Sequence, residues 1–185
     1  MRYRAISYQV SMKTYVITLS QVFPVTHARA GEPTGFKDKF LAAIKKQLGE
    51  RLKLHTIRAN YELWKKRFDE IAEGKAQLSI RQWSGKPYRS KQVELAVLTK
   101  DDGIGIERLT FDKSRPVLLP NVNYKPVGVG NLANNDGLSL EDWEEWFKNY
   151  DLSQPLAVIH FTNFRYKDNG TERISEASHD DLHRE

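Results

Sequence analysis

The chain has 185 residues, 39% hydrophobic, 11% aromatic and 29% charged, with 11 Gly, 7 Pro and no Cys. Those figures fit one domain with appendages and exclude collagenous, mucin-like and wholly disordered classes, disulfide scaffolds, zinc ribbons and thiol catalysis. The formal charge of +5 conceals a split, because residues 1–91 carry 19 Lys/Arg against 7 Asp/Glu and residues 92–185 carry 10 against 17. Such asymmetry points either to an anionic partner on the first half, nucleic acid foremost, or to two halves that neutralise one another when packed.

At the N-terminus Arg2 and Arg4, an apolar stretch over 15–23 and Ala28-Arg29-Ala30 imitate a secretory signal. Thr18, Ser20 and Gln21 interrupt the apolar part, so a buried strand over 15–19 is the better reading. Met12 followed by Lys13 marks residues 1–12 as an expected loose extension, with a single domain over 13–167 and a polar, acidic tail over 168–185. No run approaches the roughly 18 to 20 apolar residues of a membrane helix. A cytoplasmic protein without a membrane partner is therefore expected, and no oligomeric state is read from the sequence.

Apolar spacing predicts three helices. The first covers 36–48, with Phe36, Phe40, Leu41, Ile44 and Leu48 on one stripe, Thr34 as cap, Gly49 as stop, and Lys37, Lys39, Lys45 and Lys46 on the other face. The second covers 61–73, between an Asn60 cap and a Gly74 stop, with Tyr61, Trp64, Phe68 and Ile71 facing inward. The third covers 140–149, starting at Ser139, with Glu141 and Asp142 at the positive end of its dipole and Leu140, Trp143 and Phe147 buried. Strands are expected at 15–19, 54–58, 76–82, 92–98, 104–111 and 156–164, where β-branched and aromatic residues lie between Gly, Pro and Asp. Helices and strands do not alternate strictly, which favours an α+β domain with a mixed, largely antiparallel sheet. Residues 115–137, with Pro116, Pro120, Pro126, Gly128 and Gly130, read as a long irregular connection.

The most informative stretch is Lys53-Leu54-His55-Thr56-Ile57-Arg58, followed after the second helix by Gly74-Lys75-Ala76-Gln77-Leu78-Ser79-Ile80-Arg81. Next come Lys86-Pro87-Tyr88-Arg89-Ser90-Lys91, and later Asp136-Gly137-Leu138-Ser139-Leu140-Glu141-Asp142-Trp143. In that order these segments resemble the ASCH domain family of the PUA-like superfamily over about 15–164: a Lys-x-x-Thr-Ile-Arg signature, a glycine turn into a strand, Pro with basic residues, and a Gly-Leu-Ser-x-Glu-x-Trp helix. The resemblance implies a small, mainly antiparallel, barrel-like sheet flanked by about three helices, with a cleft for RNA, nucleotides or modified nucleosides. One branch of the family removes the acyl group of acetylcytidine with a Lys, a Thr and a carboxylate, which fall here on Lys53, Thr56 and Asp136. Asp136 stands where that branch has Glu, one methylene longer.

The residues can be weighed apart from the family. A Thr hydroxyl attacks only if a neighbouring base takes its proton, and a Lys serves only if burial or nearby cations such as Arg58 and Arg81 lower its pKa. A carboxylate in an apolar setting can then protonate the leaving amine. Strand geometry sets a condition: Leu54, Thr56 and Arg58 share one face, so Lys53 meets Thr56 only from the turn before the strand. The bland alternative for Thr56 is a hydroxyl satisfied on neighbouring backbone.

Arg58, Arg81, Lys86, Arg89 and Lys91, interleaved with Trp83 and Tyr88, suit a nucleotide or single-stranded RNA, with cations on phosphate and aromatic faces on unpaired bases. The alternative is a solvated hairpin whose Trp83 closes the core. Binding of RNA, a nucleotide or a modified nucleoside in a basic cleft is the expected function, with amide hydrolysis of an acylated nucleoside such as acetylcytidine as the alternative and a protein-interaction module using the acidic half as a second alternative. No cofactor is expected. His179 and His183 beside Asp180 and Asp181 have helical ligand spacing but lie in the polar tail, His27 and His55 are candidate substrate contacts or structural histidines, and Gly128-x-Gly130 lacks the rest of a phosphate loop.

Overall fold

The computed structural model describes residues 12–112 and 119–166. Expectations for residues 1–11, Arg115, Pro116 and the tail, including His179 and His183, lie outside the described residues. The elements run β1 (Lys13–Leu19), α1 (Phe36–Ile44), β2 (His55–Arg58), α2 (Tyr61–Ala72), β3 (Ala76–Trp83), β4 (Gln92–Leu98), β5 (Gly105–Asp112), β6 (Leu119–Val122), β7 (Lys125–Pro126), α3 (Val129–Asn135), α4 (Leu140–Phe147) and β8 (Leu156–His160). The α+β class holds. The strands do not close into a barrel; they form two open sheets, β1-β3-β4 and β2-β8-β5-β6-β7. Among the described residues only β1 and β3 pair in parallel, from Lys13 opposite Ala76 to Leu19 opposite Gln82; the other strand pairings are antiparallel.

Helix α2 packs against β3, β5 and β8 and so lies between the sheets, burying Trp64, Phe68 and Ile71. Around it the core joins Ile17 and Leu19 of β1, Leu78 and Ile80 of β3, and the fully buried Leu156–His160 strand. Among the described residues no helix is long and apolar enough to cross a membrane.

Helix ends explain where the expected boundaries hold. At α2 the Asn60 side chain accepts from the Leu63 N–H, and Gly74, at φ 73°, closes a Schellman turn in which Lys75 N–H reaches the Glu70 carbonyl. Helix α1 ends four residues earlier than its apolar spacing predicts, because the same turn forms around Lys46 at φ 54°, with Gln47 N–H donating to Ala42 O. Leu48, expected on the buried stripe, is exposed. Thr34 serves α1 from one place back: Gly35 is the cap residue, and the Thr34 hydroxyl accepts from the Phe36 N–H.

The expected irregular connection over 115–137 contains three elements. Strands β6 and β7 make a hairpin whose two turn residues, Asn123 and Tyr124, both have positive φ, at 47° and 68°. Helix α3 follows and ends in a third Schellman turn, with Asp136 at the cap position and Gly137 at φ 80°. Helix α4 then starts where expected, the Ser139 hydroxyl accepting from the Asp142 N–H.

Candidate active site

Two chain segments distant in sequence build the site. Just before β2, Lys53 pairs as an isolated antiparallel bridge with Asp136, and Leu54 continues the clip by donating to Asn135 O while its own carbonyl accepts from Phe161 N–H. Lys53 thus precedes the strand, meeting the geometric condition for approaching Thr56. The close approach needs Gly137: a Cβ there would lie 3.3 Å from Lys39 Cδ and 3.4 Å from Lys53 Cβ, besides straining the left-handed backbone. Lys39 straps the turn to α1, its ammonium donating to the carbonyls of Gly137 at 2.6 Å and Thr34 at 3.2 Å.

Lys53 is 2% exposed and Asp136 4%. The Lys53 Nζ donates to Asp136 Oδ1 at 2.7 Å and to the Asp136 main-chain carbonyl at 2.8 Å, and lies 3.8 Å from the centroid of the Phe36 ring. Burial lowers the Lys53 pKa against the pull of Asp136, and burial raises the Asp136 pKa against the pull of Lys53. The ion pair and its neutral counterpart, amine beside carboxylic acid, differ by one proton along this contact. Desolvation favours the neutral pair and mutual attraction the charged one.

Thr56 and Arg58 share one face of β2, and with Lys53 and Asp136 they line a cavity of about 60 Å³ walled by Phe36, Trp146 and Phe147. Thr56 is 3% exposed, yet its hydroxyl makes no hydrogen bond among the described residues. That is not a hydroxyl satisfied on neighbouring backbone. The Arg58 guanidinium donates to Thr18 O at 3.0 Å, and burial lowers its pKa. The cavity has room for about two waters or a short acyl group, since one water occupies about 30 Å³. A whole nucleoside does not fit in it.

A groove of about 510 Å³ shares Thr18 and Ser20 with the cavity and is otherwise lined by Gln21, Val22, Trp83 and the Gly85–Tyr88 end of the β3–β4 hairpin, Lys86 included. Trp83 and Tyr88 stand 5.3 Å apart between ring centroids, inclined at 53°. Tyr88 is 90% exposed and Trp83 half-buried, so the hairpin presents an aromatic wall.

The other expected contacts are placed differently. Arg81 points to its own sheet, Nε donating to the Ser79 hydroxyl at 2.8 Å and a terminal nitrogen lying 3.5 Å from Glu94 Oε2, and it lines neither space. Arg89 and Lys91 are exposed on the hairpin outside the groove lining. His27 is structural, its two ring nitrogens engaged by Asp142 O and the Arg29 N–H. Among the described residues no cluster of three or more His, Asp or Glu side chains is arranged to hold a metal.

Behind Asp136 lies a group that the sequence reading did not assemble. His55 and His160, both 0% exposed, are cross-strand partners with rings 5.6 Å apart. His160 Nε2 lies 2.7 Å from Glu107 Oε2, off the direction of a linear hydrogen bond, and Glu107 also accepts from Asn123 Nδ2 and the Tyr166 N–H. His55 Nε2 is 2.8 Å from the Tyr166 hydroxyl, and its Nδ1 lies 3.8 Å from Asp136 Oδ1. The pairing of β2, β8 and β5 brings His55, His160 and Glu107 together, and Tyr166 joins them from the segment after β8.

No protein-family model, no curated protein and no solved structure matches this chain.

Proposed function

We propose that the chain hydrolyses the amide of a small acylated nucleoside, with Lys53 as base, Thr56 as nucleophile and Asp136 as acid. The observation that carries this reading is the unbonded Thr56 hydroxyl in one small cavity with the buried Lys53–Asp136 pair. The reactive form is the neutral pair. Lys53 takes the Thr56 proton as Oγ attacks the acyl carbonyl, Arg58 supplies positive charge for the oxyanion, and Asp136 protonates the departing amine. Lysine is then ammonium and aspartate carboxylate, and one proton passing along their contact restores the starting pair. Water attacks the acyl-threonine next: Lys53 accepts its proton and returns it to Thr56 Oγ as the carboxylic acid leaves.

The cavity takes the acyl group while the base and sugar lie in the groove against Trp83 and Tyr88, with Lys86 at hand for an anionic substituent. This extends the ASCH-type, PUA-like resemblance of the signature segments, and the cytoplasm is the setting proposed for it. The test is release of free amine from N-acyl nucleosides such as acetylcytidine, followed by chromatography and mass spectrometry. Lys53→Ala that folds and still turns over removes the reading.

A second reading, binding of single-stranded RNA or a nucleotide without chemistry, is favoured by one observation: Lys86, Arg89 and Lys91 are exposed on the hairpin that carries Trp83 and Tyr88. It requires affinity that falls with rising salt in proportion to the phosphates contacted.

A further inference from the structure

Asp136 has a neighbour that the proposed chemistry does not use. His55 Nδ1 is buried and, among the described residues, without a hydrogen-bond partner, and Asp136 Oδ1 lies 3.8 Å from it. The opposite nitrogen, Nε2, meets the Tyr166 hydroxyl at 2.8 Å. That hydroxyl already accepts from Asn135 Nδ2 at 3.1 Å, and its one proton has two candidate acceptors, His55 Nε2 at 2.8 Å and Asn131 O at 3.4 Å. The shorter contact is the stronger claim on the proton. Burial keeps Tyr166 protonated and, with the positive fields of His160 and Lys53, keeps His55 neutral. A neutral imidazole that accepts at Nε2 carries its proton on Nδ1, facing Asp136.

We propose that Tyr166 and His55 are positioning residues for Asp136: the tyrosine hydroxyl fixes the imidazole tautomer that turns an N–H toward Asp136 Oδ1, the same oxygen that Lys53 holds. At 3.8 Å the contact is electrostatic and longer than a hydrogen bond. Its effect on Asp136 has a definite sign. Burial holds the carboxyl up, Lys53 and Arg58 pull it down, and the His55 N–H adds to that pull by favouring the charged form. The remaining groups around His55 are His160, itself against Glu107, with Lys39 beyond Lys53. The lock therefore sets the pH at which Asp136 can give and regain its proton, and its consequence for turnover rests on the hydrolase reading.

The test is nuclear magnetic resonance on the full chain labelled with 15N-histidine and 13C-carboxyl aspartate. In the wild type the His55 signal should report the Nδ1–H tautomer. In Tyr166→Phe, which keeps the ring, that tautomer should give way to Nε2–H, and the Asp136 midpoint should rise by about one pH unit, tenfold in proton affinity. His55→Asn, which keeps a donor near the Nδ1 position, should hold the Asp136 midpoint closer to wild type than His55→Phe does. An Nε2–H tautomer in the wild type, or an Asp136 titration unmoved by Tyr166→Phe, overturns the proposal. The two readings separate cleanly: a shifted Asp136 without turnover on any acyl nucleoside sinks the hydrolase alone, and turnover with an unshifted Asp136 sinks the lock alone.

Discussion

Lys53 Nζ holds both the side-chain oxygen and the main-chain carbonyl of Asp136, a residue 83 positions away, and does so behind almost complete burial. Two donated hydrogen bonds fix the ammonium at the floor of a cavity instead of at the surface, where lysines normally reside. A buried pair of this kind is poor evidence of stabilisation, because desolvation of the two charges offsets most of their attraction.

That gives the first prediction. Asp136→Leu alone should cost about 3–5 kcal/mol, since it leaves Lys53 buried without its counter-charge, whereas Lys53→Met combined with Asp136→Leu should be neutral or even more stable than wild type. Urea unfolding of the three proteins measures it. If the double substitution costs as much as the single one, the pair is there for stability and not for chemistry.

Thr56→Val should leave stability within about 0.5 kcal/mol of wild type, because the hydroxyl removed makes no hydrogen bond and the replacement is nearly isosteric. Thr56→Ser should retain turnover. A Thr56→Val loss of about 2 kcal/mol would mean that the hydroxyl has a structural partner after all.

Groove substitutions should divide by position. Trp83→Ala and Tyr88→Ala should raise KM for an acyl nucleoside, each by roughly the 1–3 kcal/mol of a stacked base, with kcat little changed. Arg81→Ala should do much less, since Arg81 serves Ser79 and Glu94 within its own sheet. Steady-state kinetics on the three variants decides; a larger effect from Arg81 than from Trp83 would move the base-binding surface elsewhere.

Acid should destabilise the fold well before ordinary carboxylates titrate. The folded-state pKa of His55 lies well below 6.5 through burial first, then His160 and Lys53, and His160 is lowered by burial too. Between the folded and unfolded values the unfolded chain binds more protons, so the stability these histidines contribute is present above about pH 6.5 and is lost as pH falls. Glu107, which burial raises but the close His160 imidazole and the Tyr166 N–H bring below 4.5 on balance, adds to the loss further down. Asp136, raised above 3.8 by burial, acts in the opposite sense: its contribution is present below 3.8 and lost as pH rises through its folded value. The urea midpoint should therefore fall between about pH 7 and pH 5, and fall less in His55→Gln. A flat midpoint would contradict the buried, neutral state of His55.

What the sequence reveals of this molecule depends on whether special backbone positions are filled by the expected residues. Gly74 ends α2 where it is read, while Lys46 does the same work at α1 without a glycine to announce it. The β6–β7 hairpin hides for the same reason: its turn needs two positive φ angles, ordinarily signalled by Asn-Gly, and uses Asn123-Tyr124. Pro120, opposite Phe111, further disguises β6 as a loop. In the site, Lys53, Thr56 and Asp136, which the resemblance of the short segments singles out, do line one cavity, and the need for Lys53 to precede the strand is legible from strand geometry. The tyrosine, histidines and glutamate behind Asp136 are not, because long-range strand pairing places His55 opposite His160 with Glu107 on the neighbouring strand, and Tyr166 reaches them from the segment after β8. Charge misleads most at Arg81, whose partner Glu94 comes from the following strand.

The most direct measurement is amine release from an N-acyl nucleoside by wild type and Thr56→Val, side by side, with folding of both checked by circular dichroism. The wild type should turn over, and the variant should bind the nucleoside with similar affinity yet release no amine. Equal release by both proteins, or none by a wild type that binds the nucleoside, would contradict a threonine nucleophile served by the Lys53–Asp136 pair.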